Sequence, residues 1–377
     1  MDVEMVTKSV DSKLSDKTLR FVKMQATGND FILTTRDWVR ESQTTLTLSD
    51  LARVLCDRHY GVGGDGLICL QPLTTGDSDS LRSGSSLEML FLNPDGSHSR
   101  MCGNGARCFS RFAWSLGWKC PLLFRVNDNL YESHFSEESP EIVTVFFQES
   151  VSVQPLDIQA ILKNSTRFME LLKKLDLSLF SGYRVKPGTD HVVLMMSSEI
   201  SFLSAKYPHS SDWKNQLREV AEEVRFDPAF APDGVNVNFV RKVGVNCLEL
   251  VTYERGVDNF TESCGTGTIA AALTFLSETQ QKDTQSGADP TGIGSSGFNS
   301  SGSTFTTIVL NTNGGTLHVQ CESTNLDYHS AQKPDPHSEK HSTESLSREQ
   351  AESSSYKRIS LTGPARFVAE GTLILPS

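Results

Sequence analysis

The spacing of apolar positions changes period several times along this chain, and each change marks an element. Residues 1–17 have no period and read as a polar, flexible leader. From Leu19 the run Leu19-Arg20-Phe21-Val22-Lys23-Met24 and the apolar Phe31-Ile32-Leu33 predict two strands, with Gly28-Asn29-Asp30 as the hairpin signal between them. A short helix is predicted over 49–57, with Ser49 as its cap and Leu51, Val54 and Leu55 on one face. Strands follow at 67–70 and 87–92, on either side of a Ser/Thr/Gly/Asp loop, and Asn93-Pro94-Asp95-Gly96-Ser97 turns the chain towards Met101. Phe109, Phe112, Ala113 and Leu116 then recur at i, i+3, i+4, i+7, the period of a helix. A strand at 142–147 closes a first domain over 18–150.

The second half repeats this plan. A strand and turn over 183–190 lead to His191 and a strand at 192–196. A helix over 212–224 carries Trp213, Leu217, Val220 and Val224 on one face. Strands at 235–240 and 247–253 run into Glu254-Arg255-Gly256-Val257, a turn, and a second helix with Ile269, Ala272, Leu273 and Leu276 in helical period. A hairpin is predicted around Asn313-Gly314, and strand-like residues end the chain. This makes a second domain over 151–365, with residues 366–377 returning to complete the first. Residues 280–304 and 323–356 are rich in small and polar side chains, cannot bury enough to offset their ordering entropy, and are expected to be disordered insertions. His329, His337 and His341 in the second of these read as solvated linker residues.

Both amphipathic helices are preceded by the same short sequence. Cys102-Gly103-Asn104-Gly105 stands before the first and Cys264-Gly265-Thr266-Gly267 before the second. Each cysteine is thereby placed at a helix N-terminus, where unpaired N–H groups and the macrodipole favour negative charge, and the glycines let the backbone approach a bound group. Two such corners suggest a duplicated unit whose thiols face one ligand.

Composition narrows what that ligand is. A net charge of −11 argues against nucleic acid or an anionic membrane as partner, and no apolar run approaches the length of a membrane span. The acidic N-terminal residues do not suit an organelle transit peptide, so the cytoplasm is the expected compartment. The eight cysteines lack Cys-x-x-Cys spacing, and no metal site is expected. Cys56, Cys69, Cys120, Cys247 and Cys321 read as small core hydrophobes. The glycine-rich Gly61-Val62-Gly63-Gly64-Asp65-Gly66 precedes a strand instead of following one, the reverse of a dinucleotide fingerprint, and reads as a tight loop lining a site.

Two thiols on opposite sides of an α-carbon can invert it. One thiolate removes the weakly acidic α-hydrogen while the other thiol returns a proton from the opposite face. A helix N-terminus lowers a cysteine pKa by one to several units, each worth about 1.4 kcal/mol. The N–H groups of Gly103, Asn104, Gly265 and Thr266 would steady the carboxylate as charge develops. No organic cofactor is required.

Four segments in order carry a resemblance. Phe21-Val22-Lys23-Met24 with Gly28-Asn29-Asp30-Phe31, Asp57-Arg58-His59-Tyr60 through Gly66, Asn93-Pro94-Asp95-Gly96-Ser97 with Met101 through Cys108, and Glu254-Arg255-Gly256-Val257 with Cys264-Gly265-Thr266-Gly267 closely resemble diaminopimelate epimerase. The resemblance implies an α/β (α+β) fold of two similar domains related by pseudo-two-fold symmetry. Each would be a curved, mostly antiparallel sheet around a central helix, with the active site in the interdomain cleft. It implies Cys102 and Cys264 as acid and base without pyridoxal phosphate or any other cofactor, with His191 and Glu254 supporting them. It further implies that Asn29, Asn93, Asn236, Glu254 and Arg255, with Gly103, Asn104, Gly265 and Thr266, hold diaminopimelate, and that the chain forms a homodimer. Two departures stand out: Thr189-Asp190 replaces the family's usual Asn-Pro before the histidine, and Gly66 stands where many members carry Gln. A racemase for proline, hydroxyproline or glutamate with the same cysteine pair is the alternative reading. A non-catalytic binding member of the fold ranks below it, since both cysteines are present.

Overall fold

A computed structural model describes residues 17–73, 87–99, 101–136, 138–162, 170, 180–196, 211–286, 296–298, 304–323 and 354–375. The chain divides into two units, the first of residues 1–146 with 362–377 and the second of 147–361. These limits differ from the expected 150 and 366 because the second crossing falls inside a strand. Ser354, Ser355 and Tyr356 of that strand pair with Val153, Ser152 and Val151 in the second unit. At its other end, Thr362 shares a 2.8 Å hydrogen bond between hydroxyls with Thr144 of the first unit.

The first unit contains β1 (Thr18–Ala26), β2 (Asn29–Thr35), α1 (Arg36–Glu41), α2 (Leu48–Cys56), β3 (Gly66–Pro72), β4 (Leu87–Leu92), α3 (Gly103–Ser115), β5 (Leu122–Val126), β6 (Asn129–Phe135), β7 (Ile142–Phe147) and β18 (Arg366–Ile374). Its sheet runs β18-β1-β2-β3-β4-β5-β6, with β2/β3 and β4/β5 parallel and the other neighbours antiparallel. Both faces are covered, which explains why Leu67-Ile68-Cys69-Leu70 is apolar throughout. Leu67 and Cys69 join Ile32, Leu51, Ala52 and Leu55 under α2, while Ile68 lies beside Gly105 of α3.

The second unit holds β8 (Val151–Leu156), α4 (Ile158–Ile161), β9 (Phe180–Val185), β10 (His191–Met196), α5 (Ser211–Arg225), β11 (Asn236–Lys242), β12 (Cys247–Glu254), β13 (Asn259–Thr261), α6 (Gly265–Ser286), β14 (Ser296–Phe298), β15 (Thr304–Thr312), β16 (Gly315–Ser323) and most of β17 (Ser354–Pro364). Its strands β8-β9-β10-β11-β12-β15-β16 reproduce the pairing senses of the first sheet position by position. A helix again follows the third of these seven strands and another the fifth. Leu217, Val220 and Val224 of α5 pack on Val192, Leu194, Val237 and Phe239, and α6 lies against the sheet formed by β8–β12. The duplication read from two cysteine corners therefore extends to the whole strand plan.

Several local expectations change. The hairpin turn is Thr27-Gly28, both at positive φ (47° and 91°), so Asn29 begins β2. The cap of α2 is Thr47, not Ser49, since Thr47 and Asp50 form a reciprocal capping box. Leu116 is exposed because α3 ends at Ser115 in a Schellman turn, with Gly117 N–H on the Trp114 carbonyl and Trp118 N–H on that of Ala113.

The expected disorder over 280–304 is also corrected at both ends. Helix α6 continues to Ser286, through Gln and Lys residues that favour helix, and Ser296–Phe298 pairs with β15. Ser323 and Ser354–Tyr356 are likewise strand residues. The remainder of both insertions, with His329, His337 and His341, and residues 1–16 of the leader lie outside the described residues.

Candidate active site

The first corner is built on the α3 N-terminus. Cys102 is its N-cap, in an extended conformation, and its Sγ accepts the Gly105 N–H at 3.5 Å. Behind it Asn104, fully buried, donates through its amide to Asn29 Oδ1. Asn104 Oδ1 accepts from Thr27 Oγ1 at 3.3 Å and from Arg107 Nη2 at 2.9 Å. Arg107 is fully buried as well, and its side chain runs back along the helix as helical side chains do. It donates to the Gly103 carbonyl at 3.3 Å, Thr27 Oγ1 at 3.0 Å and the Pro364 carbonyl at 3.4 Å. Burial pulls its guanidinium pKa down to about 10, which leaves it charged at neutral pH.

Asn29 is held from its other side by Asp65 Oδ2 at 3.1 Å. Asp65 belongs to an ionic cluster in which Arg58 reaches both Asp65 (2.7 Å) and Asp30 (2.8 Å), and Lys23 reaches Asp30 at 3.0 Å. Burial pushes the Asp30 carboxyl up, but the hydrogen bonds and charges of Arg58 and Lys23 outweigh it and hold Asp30 below the usual range. The glycine-rich loop presents no phosphate cradle. The N–H groups of Val62, Gly63 and Gly64 go to the Leu55 and Cys56 carbonyls at the end of α2, and that of Gly61 to Asp57. The departure at Gly66 has a steric cause: a Cβ there would lie 2.5 Å from the Phe91 ring and 2.8 Å from the Leu92 carbonyl. Asn93 stands apart from these residues, its amide on Ser97 Oγ within its own turn.

The second corner uses neutral groups. Cys264 Sγ accepts the Gly267 N–H at 3.4 Å and lies 3.5 Å from Thr266 Oγ1. Thr266 Oγ1 is 3.0 Å from His191 Nε2, and Thr189 Oγ1 is 2.9 Å from the same nitrogen. Asn238 fixes the histidine tautomer. Its Nδ2 donates to the Val192 carbonyl at 3.1 Å and its Oδ1 accepts from Thr252, so it must donate to His191 Nδ1 at 3.0 Å. The ring proton therefore sits on Nε2 and points at the hydroxyls. His191 has no exposed surface, and burial drops its pKa to about 3, so the ring is neutral. A Thr266 hydroxyl that accepts from His191 keeps its own proton for Cys264.

Asn236 closes this corner. Its amide donates to the Asp190 carbonyl at 3.1 Å and its Oδ1 accepts the Arg255 N–H at 2.9 Å, which draws the Glu254–Arg255 turn onto β11. Among the described residues the Arg255 guanidinium has one loose ion pair, 3.9 Å to the exposed Asp233. Asp190 is engaged elsewhere, with Arg184 at 2.6 Å and Lys186 at 3.1 Å. Where the resembled family has Asn-Pro, Thr189 is thus part of the histidine network and Asp190 is tied into an ion pair.

A sequence profile described as diaminopimelate epimerase matches residues 21–145. The diaminopimelate epimerase of Methanothrix thermoacetophila is 31% identical over 284 residues, which span 71% of this chain and 87% of that one. The chain belongs to the diaminopimelate epimerase family. Among solved structures, a PhzF-family phenazine biosynthesis protein of Bacillus anthracis covers 95% of this chain and 100% of its own, with a TM-score of 0.57 at 11% identity. A hydroxyproline epimerase of Agrobacterium vitis covers 95% and 91%, with a TM-score of 0.53 at 12% identity. At those identities the likeness is one of fold.

Within this member of the family, the first corner brings together Cys102, Gly103, Asn104 and Asn29, and the second Cys264, Gly265, Thr266, His191 and Asn236, with Arg255 held through its backbone. Thr27, Arg107, Asp65, Asn238, Thr252 and Thr189 complete the two networks; Asp65 lies in the loop expected to line a site and Thr189 in the departure from Asn-Pro, while the other four carry no expected role of their own. The remaining cysteines stay protonated where they are buried: burial pushes Cys56, Cys69 and Cys321 up to about 12, and Cys108 higher. Cys120, expected in a core, is exposed, and Cys247 is half-buried at a strand start. None of the eight cysteines is in a disulfide. Among the described residues no group of His, Cys, Asp and Glu is placed to hold a metal, and no helix is long and apolar enough to cross a membrane.

Proposed function

We propose that this chain interconverts LL- and meso-diaminopimelate, with Cys102 and Cys264 exchanging a proton with opposite faces of the α-carbon. The observation that carries this reading is the matched pair of cysteine N-caps in a member of the diaminopimelate epimerase family. In one direction the thiolate of one cysteine takes the α-hydrogen as a proton, and the other cysteine gives its thiol proton to the opposite face. The carbon is inverted and the thiol and thiolate have traded places, so a turnover needs no other reactant. Helix N-terminal N–H groups at both corners stabilise the carboxylate while the α-carbon is deprotonated. Asn29, Asn93, Asn236, Glu254 and Arg255 hold the rest of the substrate, Arg255 being suited to a bidentate grip on the distal carboxylate. Eight cysteines outside any disulfide fit the reducing cytoplasm, and a homodimer, which sedimentation would report, is the expected assembly.

The test is solvent exchange. Purified protein in heavy water with LL-diaminopimelate and no added pyridoxal phosphate should place deuterium at the α-carbon with inversion. Cys102→Ala and Cys264→Ala should each lose inversion by about 10²–10⁴-fold, the usual worth of a general acid or base. Exchange with proline, hydroxyproline or glutamate but not with diaminopimelate would move the substrate. No exchange with any of them would end the enzyme reading.

A further inference from the structure

Arg107 is a charge the mechanism above does not use. Its hydrogen-bond partners are two carbonyls, a hydroxyl and an amide oxygen, all neutral. A buried guanidinium is ordinarily matched by a carboxylate, because an unmatched charge in the interior is costly. Among the described residues no carboxylate reaches Arg107. The titratable groups that it senses are two sulfurs on its own helix, Cys102 and Cys108. Cys108 is fully buried and remains a neutral thiol.

Among the described residues the acids near this corner are matched by bases. Asp30 and Asp65, on the strand and loop that hold Asn29, are met by Arg58 and Lys23, two acids against two bases. Arg111, one turn further along α3, has its guanidinium over the Phe367 ring, 5.3 Å from the centroid. Among the described residues Arg107 is left as a positive charge behind the α3 N-terminus that no carboxylate meets, pinned there by Gly103, Asn104 and Thr27. The helix of the second corner has no equivalent at the matching position, since alignment of the two Cys-Gly-x-Gly runs places Ile269 opposite Arg107.

Resting on the proposed two-thiol chemistry, we propose that Arg107 is a positioning residue that serves as the internal counter-charge for a Cys102 thiolate. In the resting enzyme Cys102 then holds the negative charge and Cys264 the proton, so free enzyme is set for the direction in which Cys102 is the base. The two directions start from different protonation states of the free enzyme, and Arg107 sets the balance between them.

The experiment is peptide-resolved alkylation of the whole protein with iodoacetamide between pH 5 and 10, with the Cys102 and Cys264 peptides followed by mass spectrometry in one sample. In the wild type the midpoint for Cys102 should lie at least about one pH unit below that for Cys264, the size of effect a neighbouring opposite charge has on a thiol. Arg107→Met should move the Cys102 midpoint up by about one unit, a roughly tenfold loss of thiolate below the midpoint, and leave Cys264 in place. Arg107→Lys, which keeps the charge but not the fork, should stay near the wild type. Equal midpoints in the wild type, a common shift of both cysteines, or a lysine variant that shifts as far as methionine would each overturn the proposal. Should Arg107→Met fail to fold, the wild-type comparison and the lysine variant still decide it. Alkylation is read without turnover, so failure of the epimerase reading would appear in the exchange assay and not here.

Discussion

The two cysteine corners share a backbone plan and differ in what stands behind the sulfur. At the first, a buried arginine and a ring of ion pairs surround Asn104 and Asn29. At the second, a neutral imidazole, two asparagines and three threonines form the network around Cys264. A reversible proton exchange needs two acid–base groups, but it does not need them to be equal. The comparison teaches that duplication preserved the helix N-terminus, which supplies the general preference for an anion, while the side chains behind it diverged. One corner came to be steered by a fixed charge and the other by oriented hydrogen bonds.

The largest consequence concerns the second glycine of each corner. A Cβ at Gly267 would lie 2.5 Å from Asn238 Oδ1, 3.1 Å from Thr252 Oγ1 and 3.3 Å from Cys264 Cβ. All three belong to the network that orients His191, and none has a free end that can swing aside. At Gly105 the nearest atoms are the tips of Ile68 (3.2 Å) and Met89 (3.3 Å), which can give way. Gly267→Ala should therefore lower kcat by about 100-fold or more, as small misplacements of reacting groups do. It should also cost about 1–3 kcal/mol of stability. Gly105→Ala should lose far less on both measures. Paired kinetics and denaturant titrations would check this, and equal losses would mean that the two corners are built with the same tolerance.

His191 gives the next effect. Its folded pKa of about 3 lies below the ordinary 6.5, so on unfolding it gains a proton at any pH between them. The unfolded state binds more protons in that window, and stability rises with pH across it. The contribution is fully present above about 6.5 and is lost as the pH falls towards 3. Replacing His191 with Gln should flatten the dependence of unfolding free energy on pH between 4 and 6 by up to about 1.4 kcal/mol per unit. An unchanged slope would show that the imidazole is not held neutral.

These differences explain what could be read from the chain beforehand. The cysteine corners were legible because their signal is local: a short polar turn, two glycines and a helical stripe within a dozen residues. Asn236 and Asn238 stand two apart in Val235-Asn236-Val237-Asn238-Phe239-Val240, on one face of a strand whose other face is apolar. That alternation was available for Asn238 as well, although only Asn236 was singled out. Arg107 had a signal too, a charge among small and apolar residues in the α3 pattern, but its meaning depends on Thr27 and Pro364, far away in sequence. Strands β5 and β6 around Asn127-Asp128 were legible as a hairpin and were passed over. The start of β17 was hidden because its first residues look like the polar stretch before them.

The smallest effect falls on the outer ring of the first corner, and it tests whether the two kinds of charge there differ as burial implies. Arg58 is about half exposed, with 54% of its side-chain surface open, although it bridges Asp30 and Asp65. Water and salt screen such a pair, so Arg58→Met should cost no more than about 1 kcal/mol of stability, and the difference should shrink further in high salt. Lys23 still holds Asp30, but Asp65 loses its cation and with it a firm grip on Asn29. The expected kinetic change is a rise of a few-fold in KM with kcat nearly unchanged, since in the proposed site Asn29 would meet the substrate in the ground state and transition state alike. A rise in the Cys102 alkylation midpoint comparable to that expected for Arg107→Met would mean that the ionic ring and the buried arginine act as one unit. The first corner would then depend on its whole charge cluster and not on one fixed cation.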